Sequence, residues 1–153
     1  MPESLTFMMG EFPAEFPIDL MYADNHMWAR PDADSGTIRF GFAAYAVRLL
    51  QDVYFLDWLV EAPATLGVKQ EIGSIESKKA ESALYAPLPG ELLRFNEQLM
   101  ADPSAINVDK YGDGWLFELQ SDAAPLLNPQ QYVKLLDGVW EKTQRTIKGQ
   151  LNQ

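Results

Sequence analysis

The chain has 153 residues, no cysteine, and 12 basic against 22 acidic side chains, which give a formal net charge of −10. This length fits one domain with an appended helix, and without cysteine the chain has no disulfide, catalytic thiolate or thiolate metal site. The acidic balance argues against binding to nucleic acid or an anionic membrane, and no apolar run approaches the roughly 20 residues that span a bilayer.

The first twenty residues are expected to form a loosely ordered leader that drapes over the core. Pro13 and Pro17 interrupt any helix, and the aromatic residues of this segment show no clean period. The leader lacks the basic start and apolar centre of a secretory signal, so we expect a cytoplasmic protein. Residues 1–20 are therefore predicted as the leader, and residues 21–153 as a single domain.

From residue 22 onward, short apolar runs alternate with turn signals, a pattern typical of a mostly β fold. The predicted strands are 27–30, 37–42, 53–59, 72–77, 83–86, 91–96 and 115–119. The spacing of apolar residues predicts a short connecting helix over 43–50.

The C-terminal stretch predicts a helix of about five turns, with Asn128 as its cap and Pro129 in its first turn. The residues that share its apolar face are Tyr132, Val133, Leu136, Val139, Trp140, Thr143 and Ile147.

The segment 72–87 predicts a β-hairpin whose polar tip contains Lys78 and Lys79. A lysine at such a tip is exposed, so an acylating enzyme and several partners can reach it. In an extended hairpin neighbouring residues point to opposite faces, so one lysine can be presented while the other is turned away. Taken alone, an exposed lysine is more often a solvated charge than a modified residue.

Four motifs in this chain resemble those of glycine cleavage system H proteins. Glu-Ser-Lys-Lys-Ala at 76–80, followed by Leu-Tyr-Ala-Pro at 84–87 and Gly-Glu at 90–91, is similar to their lipoylation segment. The other three are Tyr-Ala-Asp-Asn-His-Met-Trp at 22–28, Gln-Asp-Val-Tyr-Phe-Leu at 51–56, and Asn-x-Asp-x-Tyr-Gly-Asp-Gly-Trp at 107–115. The resemblance spans about residues 22–140. It implies a mostly β fold with α elements, a flattened lipoyl/biotinyl-type β-barrel sandwich with a short connecting helix and a C-terminal helix.

The resemblance also implies a function and a set of site residues. It places lipoate in amide linkage on Lys79 and makes the protein a monomeric carrier rather than an enzyme. The residues implied to be recognised by a lipoate-protein ligase are Glu76, Ser77, Lys78 and Ala80. The residues implied to line a cleft for the lipoyl arm are Asn25, His26, Met27 and Ala83. Dihydrolipoamide dehydrogenase is the implied redox partner.

Two departures from the family pattern bear on the cargo. Glycine cleavage carriers have carboxylates at the positions of Met27 and Ala83, where they hold a cationic amine that leaves water. Without them the cleft is expected to be apolar and compatible with a sulfur-containing cargo. These departures and segment 41–58 resemble the lipoate-binding proteins of a cytoplasmic sulfur-oxidation pathway with a heterodisulfide-reductase-like complex. We therefore predict a carrier in sulfur oxidation with that complex as partner, and the alternative is a glycine cleavage carrier.

Three further hypotheses concern His26, the two lysines and the absence of lipoate. His26 is the only histidine and is expected to be a structural residue rather than a metal ligand. A Schiff-base enzyme would need a desolvated lysine, and nothing apolar in sequence closely surrounds Lys78 or Lys79. A β-rich interaction module without lipoate stays open at this stage.

Overall fold

The computed structural model describes the backbone of residues 3–151 and the side chains of residues 3–142. Its strands are β1 (Ser4–Met9), β2 (Phe12–Pro17), β3 (Met21–Tyr22), β4 (Met27–Pro31), β5 (Thr37–Phe42), β6 (Val53–Trp58), β7 (Ala64–Leu66), β8 (Glu71–Ser77), β9 (Glu81–Tyr85), β10 (Gly90–Phe95) and β11 (Phe117–Gln120). Its helices are α1 (Ala44–Leu50), α2 (Gln98–Ala101), α3 (Ala105–Val108) and α4 (Pro129–Leu151).

Two sheets enclose the main core. One has six strands in the order β3-β4-β5-β11-β10-β7, and the other has three in the order β6-β8-β9. Buried side chains of both sheets form this core, including Phe40 and Phe117 from the larger sheet and Ile72 and Ile75 from the smaller one. The predicted mostly β barrel sandwich with a connecting helix and a C-terminal helix is confirmed.

The predicted loose order of the leader is wrong for residues 4–17, which form a hairpin of β1 and β2. Phe7 and Met9 on one strand, and Ala14 and Phe16 on the other, alternate with more exposed residues and are buried. The two prolines are tolerated because a two-stranded hairpin has only outer strands. The alternation has a period of two over only six residues per strand, which is a weak signal beside two prolines. The division into residues 1–20 and 21–153 stays a prediction.

A second apolar cluster joins this hairpin to α1 and α4. Tyr22 and Tyr132 stack with ring centroids 4.8 Å apart, and the Phe16 ring meets the Tyr132 ring edge-on at 5.2 Å. All three side chains are fully buried, together with Trp28 and Tyr45. The hairpin therefore holds the start of α4 against the larger sheet.

Helix α4 begins as the sequence predicts. The Asn128 side chain accepts a hydrogen bond from the Gln131 backbone N–H at 2.8 Å, and the Gln131 side chain accepts one from the Asn128 N–H at 2.9 Å. This reciprocal cap satisfies two backbone donors at the helix start. Tyr132 and Leu136 are the buried centre of the predicted apolar face, whereas the side chains of Thr143 and Ile147 lie outside the described residues.

Besides the β1-β2 hairpin, the structure adds four elements that were not predicted as such: β3, β7, α2 and α3. Each has four residues or fewer, too short for a recognisable period. Within residues 3–151, no helix has both the length and the apolar character needed to cross a bilayer.

Candidate functional site

Lys78 and Lys79 lie in a tight turn between β8 and β9. The Ser77 N–H donates to the Ala80 carbonyl at 2.8 Å, and the Ser77 hydroxyl donates to the same carbonyl at 3.0 Å. The Ala80 N–H donates to the Ser77 hydroxyl oxygen at 3.2 Å, which closes the loop. Ser77 and Ala80, predicted as recognition residues, are thus the residues that shape the turn.

Both lysine side chains are exposed, and both residues lie outside the strands. Strand alternation does not apply within a turn, so it does not assign the two lysines to opposite faces. Exposure does not distinguish Lys79 from Lys78, and the choice between them rests on the family register. Glu76 and Glu81 form the cross-strand pair that flanks the turn, and both are exposed.

Hydrogen bonds also connect the turn to the start of β6 and, through it, to α3. The Lys78 N–H donates to the Asp52 carbonyl at 2.8 Å. The Asn107 side chain accepts from the Val53 N–H at 2.9 Å and donates to the Gln51 carbonyl at 2.6 Å. The backbone that carries the lysines is thereby connected to an element that follows it by about thirty residues. This brace was not predicted, although Asn107 opens one of the family motifs.

A cleft of about 290 Å³ opens beside the turn, with Ala80 at its edge. Its walls come from the segment 25–27, from β5 and α1, and from the hairpin β8-β9. The lining residues are Asn25, His26, Met27, Phe42, Ala46, Leu49, Leu50, Ile75, Ala80, Ser82, Ala83, Leu84 and Tyr85. The structure thus brings together the four residues predicted for the cleft, and it adds a floor of aliphatic and aromatic side chains.

The cleft is mostly apolar. Met27 is buried in its wall, and Ala83 contributes only a methyl group. Among the described residues, no aspartate or glutamate lines it. Asp24 lies in an adjacent depression that shares Asn25 and Tyr85 with the cleft and also contains Lys69. The predicted loss of carboxylates inside the cleft therefore holds for the described part of the chain, with one carboxylate close outside.

Asn25 provides the most unusual polar atom of the cleft. Its Nδ2 donates to the Tyr85 carbonyl at 3.2 Å. Its Oδ1 is buried and has no hydrogen-bond partner among the described residues. Because an unpaired buried acceptor costs free energy, this oxygen offers a position for a donor on a bound group.

His26 forms the inner end of the same wall. Its Nδ1 is 2.9 Å from the Tyr132 hydroxyl, and its ring lies 4.6 Å from the Tyr45 ring. Burial lowers the pKa of His26, and the charge of Asp24 offsets this in part. No group of three or more potential metal ligands occurs within the described residues, and the structural role of His26 stays a prediction.

Comparisons with known proteins point in one direction. The family model of the glycine cleavage H-protein matches residues 20–139. The glycine cleavage system H protein of Pseudoalteromonas atlantica is 42% identical over 111 residues, which cover 72% of this chain and 84% of that protein. The one from Chromobacterium violaceum is 40% identical over 115 residues, or 75% and 88% of the two chains.

A solved structure agrees with these sequences. The crystal structure of a glycine cleavage system H protein from Mycobacterium marinum matches with a TM-score of 0.66 and 32% identity. The match covers 78% of this chain and 97% of that one. Residues 1–19 precede the family match, so the whole β1-β2 hairpin lies outside the matched region.

Proposed function

The chain belongs to the glycine cleavage H-protein family, and on that premise we propose that it is a lipoyl carrier with lipoate in amide linkage on Lys79. Homologues in this family carry covalently attached lipoate. The observation that carries the carrier proposal is a pair of exposed lysines in a hydrogen-bonded turn that borders an apolar cleft, and the family register selects Lys79 from the pair.

The residues present fit a lipoyl group. Its acyl chain is apolar and narrow, and the cleft is apolar and close to the lower limit of common ligand pockets in volume. When bound, the dithiolane supplies a redox-active pair of sulfur atoms to which a cargo is attached. The protein's own contribution is to hold the Lys79 backbone in a fixed turn, to exclude water with Met27 and Leu84, and to offer Asn25 as an acceptor.

We propose the glycine cleavage role rather than the sulfur-oxidation role predicted from the sequence. The matched relatives named above support it, since each is a glycine cleavage system H protein. The unpaired Asn25 Oδ1 supports it as well, because a cargo with an N–H donor would complete that hydrogen bond. A lipoate ligase and a dihydrolipoamide dehydrogenase are the proposed partners, and the cytoplasm is the proposed compartment.

Sulfur oxidation remains a second candidate because of one observation. The Met27 thioether and the Ala83 methyl group occupy the cleft wall where a cationic amine would be better served by carboxylates. The heterodisulfide-reductase-like complex is a proposed partner only under this second candidate.

The attachment site is tested by intact mass after co-expression with a lipoate ligase in the presence of lipoate. We expect the wild-type chain and Lys78→Arg to gain the mass of one lipoyl group, and Lys79→Arg to gain none. Lys78→Arg is the matched control because both lysines are exposed in the same turn. A lipoylated Lys79→Arg chain, or an unmodified wild-type chain, contradicts the assignment.

The cargo is tested by glycine–bicarbonate exchange with a glycine decarboxylase. We expect the lipoylated wild-type protein to support exchange and the unmodified Lys79→Arg chain to give only background. A lipoylated protein that supports no exchange would favour the sulfur-oxidation candidate.

A further inference from the structure

Two exposed aromatic side chains lie beside the lysine turn. Tyr54 is 62% exposed and Phe55 is 51% exposed, although both belong to β6. β6 is an outer strand of the three-stranded sheet that also contains the hairpin with the lysines. Consecutive exposed aromatic residues are unusual in a strand, because neighbouring side chains normally point to opposite faces and one of them would be buried.

A β-bulge accounts for this exposure. Val53 pairs with Ser77 and Phe55 pairs with Glu76, so two steps along β6 correspond to one step along β8. Tyr54 is the extra residue, and the shift allows Val53 and Leu56 to stay buried while both aromatic rings face outward. Bulges of this kind commonly re-aim side chains next to functional sites.

The bulge lies at the base of the lysine turn. Asp52, whose carbonyl accepts the Lys78 N–H, comes two residues before Tyr54. Two exposed carboxylates occupy neighbouring register positions: Glu76 pairs with Phe55 across the strands, and Asp57 lies two residues after Phe55 in β6. The outcome is an apolar patch with an acidic rim, directly beside the proposed attachment site.

We propose that Tyr54 and Phe55 form the docking surface for the lipoate ligase that acylates Lys79, a partner with an apolar centre and a basic rim at its active-site mouth. This inference rests on the proposed function, because acyl transfer requires the ligase active site to reach the Lys79 amine. The surface that flanks the turn is then covered in the complex. Exposed aromatic residues at the centre of an interface contribute strongly to affinity, and opposite charges at its rim favour encounter.

The reaction in that complex is an acyl transfer. The Lys79 nitrogen forms a bond to the carbonyl carbon of an activated lipoyl donor held by the ligase, and the bond from that carbon to its leaving group breaks. The leaving group departs with its electron pair, and the neutral amine nitrogen loses one proton to solvent as the amide forms. No electrons are exchanged, so the dithiolane is unchanged.

The test measures the initial rate of lipoylation of the full chain by a lipoate ligase at varied carrier concentration. Mass spectrometry quantifies the lipoylated product. The variant is Tyr54→Thr/Phe55→Thr, because threonine removes the rings and keeps a preference for strands. We expect its KM to rise about tenfold or more, with kcat within about twofold of wild type, as loss of two interface aromatic residues implies.

Val68→Thr is the matched control. Val68 is 75% exposed and precedes β8, whereas the lysine turn follows β8, so the two are separated by the length of that strand, about 20 Å. Its KM is expected to equal that of wild type. Circular dichroism and thermal unfolding of both variants verify that the sheet is intact, and the single changes Tyr54→Thr and Phe55→Thr replace the double variant if it is unfolded.

Two results overturn the docking surface while leaving the carrier function in place. One is an unchanged KM in a folded Tyr54→Thr/Phe55→Thr chain when Lys79→Arg is not lipoylated. The other is a change of oligomeric state: the wild-type chain sediments as a dimer, and Tyr54→Thr/Phe55→Thr sediments as a monomer with unchanged lipoylation. That result would make the patch a contact between two copies of this chain. A wild-type chain that is never lipoylated overturns both proposals.

Discussion

At the scale of single residues, His26 connects the cleft to the C-terminal helix. It has a left-handed backbone with φ of 71°, a region where histidine is among the better tolerated residues. Its N–H donates to the Ala23 carbonyl at 3.2 Å, and its carbonyl accepts from the Ala43 N–H at 3.0 Å. With Nδ1 beside the Tyr132 hydroxyl, the ring is fixed from both the backbone and the side-chain end.

His26 makes stability depend on pH near neutrality. Its pKa is lowered in the folded state by burial, so the unfolded chain binds more protons once the pH falls below about 6.5. Stability is therefore fully present above that value and is lost as the pH decreases, with a slope of at most about 1.4 kcal/mol per pH unit for one proton.

The measurement is urea unfolding of wild type and His26→Asn between pH 5.5 and 7.5. Asparagine tolerates the left-handed backbone and does not titrate. Because this chain has a single histidine, we expect the wild-type free energy of unfolding to fall more steeply with acidification than that of the variant. Parallel pH profiles would contradict this account of His26.

At the scale of elements, the hairpin with the lysines was predictable because its signals are local. Apolar residues on two short arms flank a polar tip, and the observed strands β8 and β9 agree with the predicted ones within two residues at each end. The β4, β5 and α1 boundaries were predicted to within one residue for the same reason. The β1-β2 hairpin was not predictable in the same way, because its two prolines argue against regular structure more strongly than the short alternation of buried residues argues for strands.

The composition of the cleft was only partly predictable. Family resemblance grouped Asn25, His26, Met27 and Ala83, and the structure places them in one cavity. The hydrogen bond between His26 and Tyr132 joins residues 106 positions apart, so no local pattern indicates it. The bulge at Tyr54 is equally invisible in sequence, since it is a property of the register between β6 and β8.

The brace from α3 to β6 yields a prediction for Asn107. Asn107→Ala leaves the Val53 N–H and the Gln51 carbonyl without their side-chain partner, a cost of about 1–3 kcal/mol in unfolding free energy. We expect faster amide hydrogen exchange at Val53 and also at Lys78, whose N–H is bonded to the adjoining Asp52 carbonyl.

Val108→Ala is the control for this brace, because Val108 is the next residue in α3 and is 84% exposed. Its exchange rates at Val53 and Lys78 are expected to match those of wild type. Equal protection of these two amides in Asn107→Ala would show that the turn does not depend on α3.

At the scale of the whole molecule, the buried apolar residues form two clusters, of which one lines the cleft and the other packs behind His26. The cluster between the two main sheets contains Met27, Phe42, Leu50, Ile75 and Leu84, which also line the cleft. The second cluster joins the β1-β2 hairpin to α1 and α4 and contains the Tyr45 and Tyr132 rings that contact His26. His26 lies where the two clusters meet. The β1-β2 hairpin therefore contacts the residues that hold His26, although it contributes no lining residue to the cleft.

This arrangement predicts that damage to the hairpin reaches the cleft. Phe16→Ala removes a fully buried ring that packs on both Tyr22 and Tyr132, and we expect it to cost about 3–5 kcal/mol in unfolding free energy. Met8→Ala, in the partner strand and 51% exposed, is expected to cost no more than about 0.5 kcal/mol. Since Tyr132 holds the His26 ring, Phe16→Ala should also shift the His26 ring resonances and move its pKa back toward the ordinary value in an NMR titration. An unchanged His26 titration in a folded Phe16→Ala chain would mean that Tyr132 keeps its position without the hairpin, and that the cleft is independent of the second cluster.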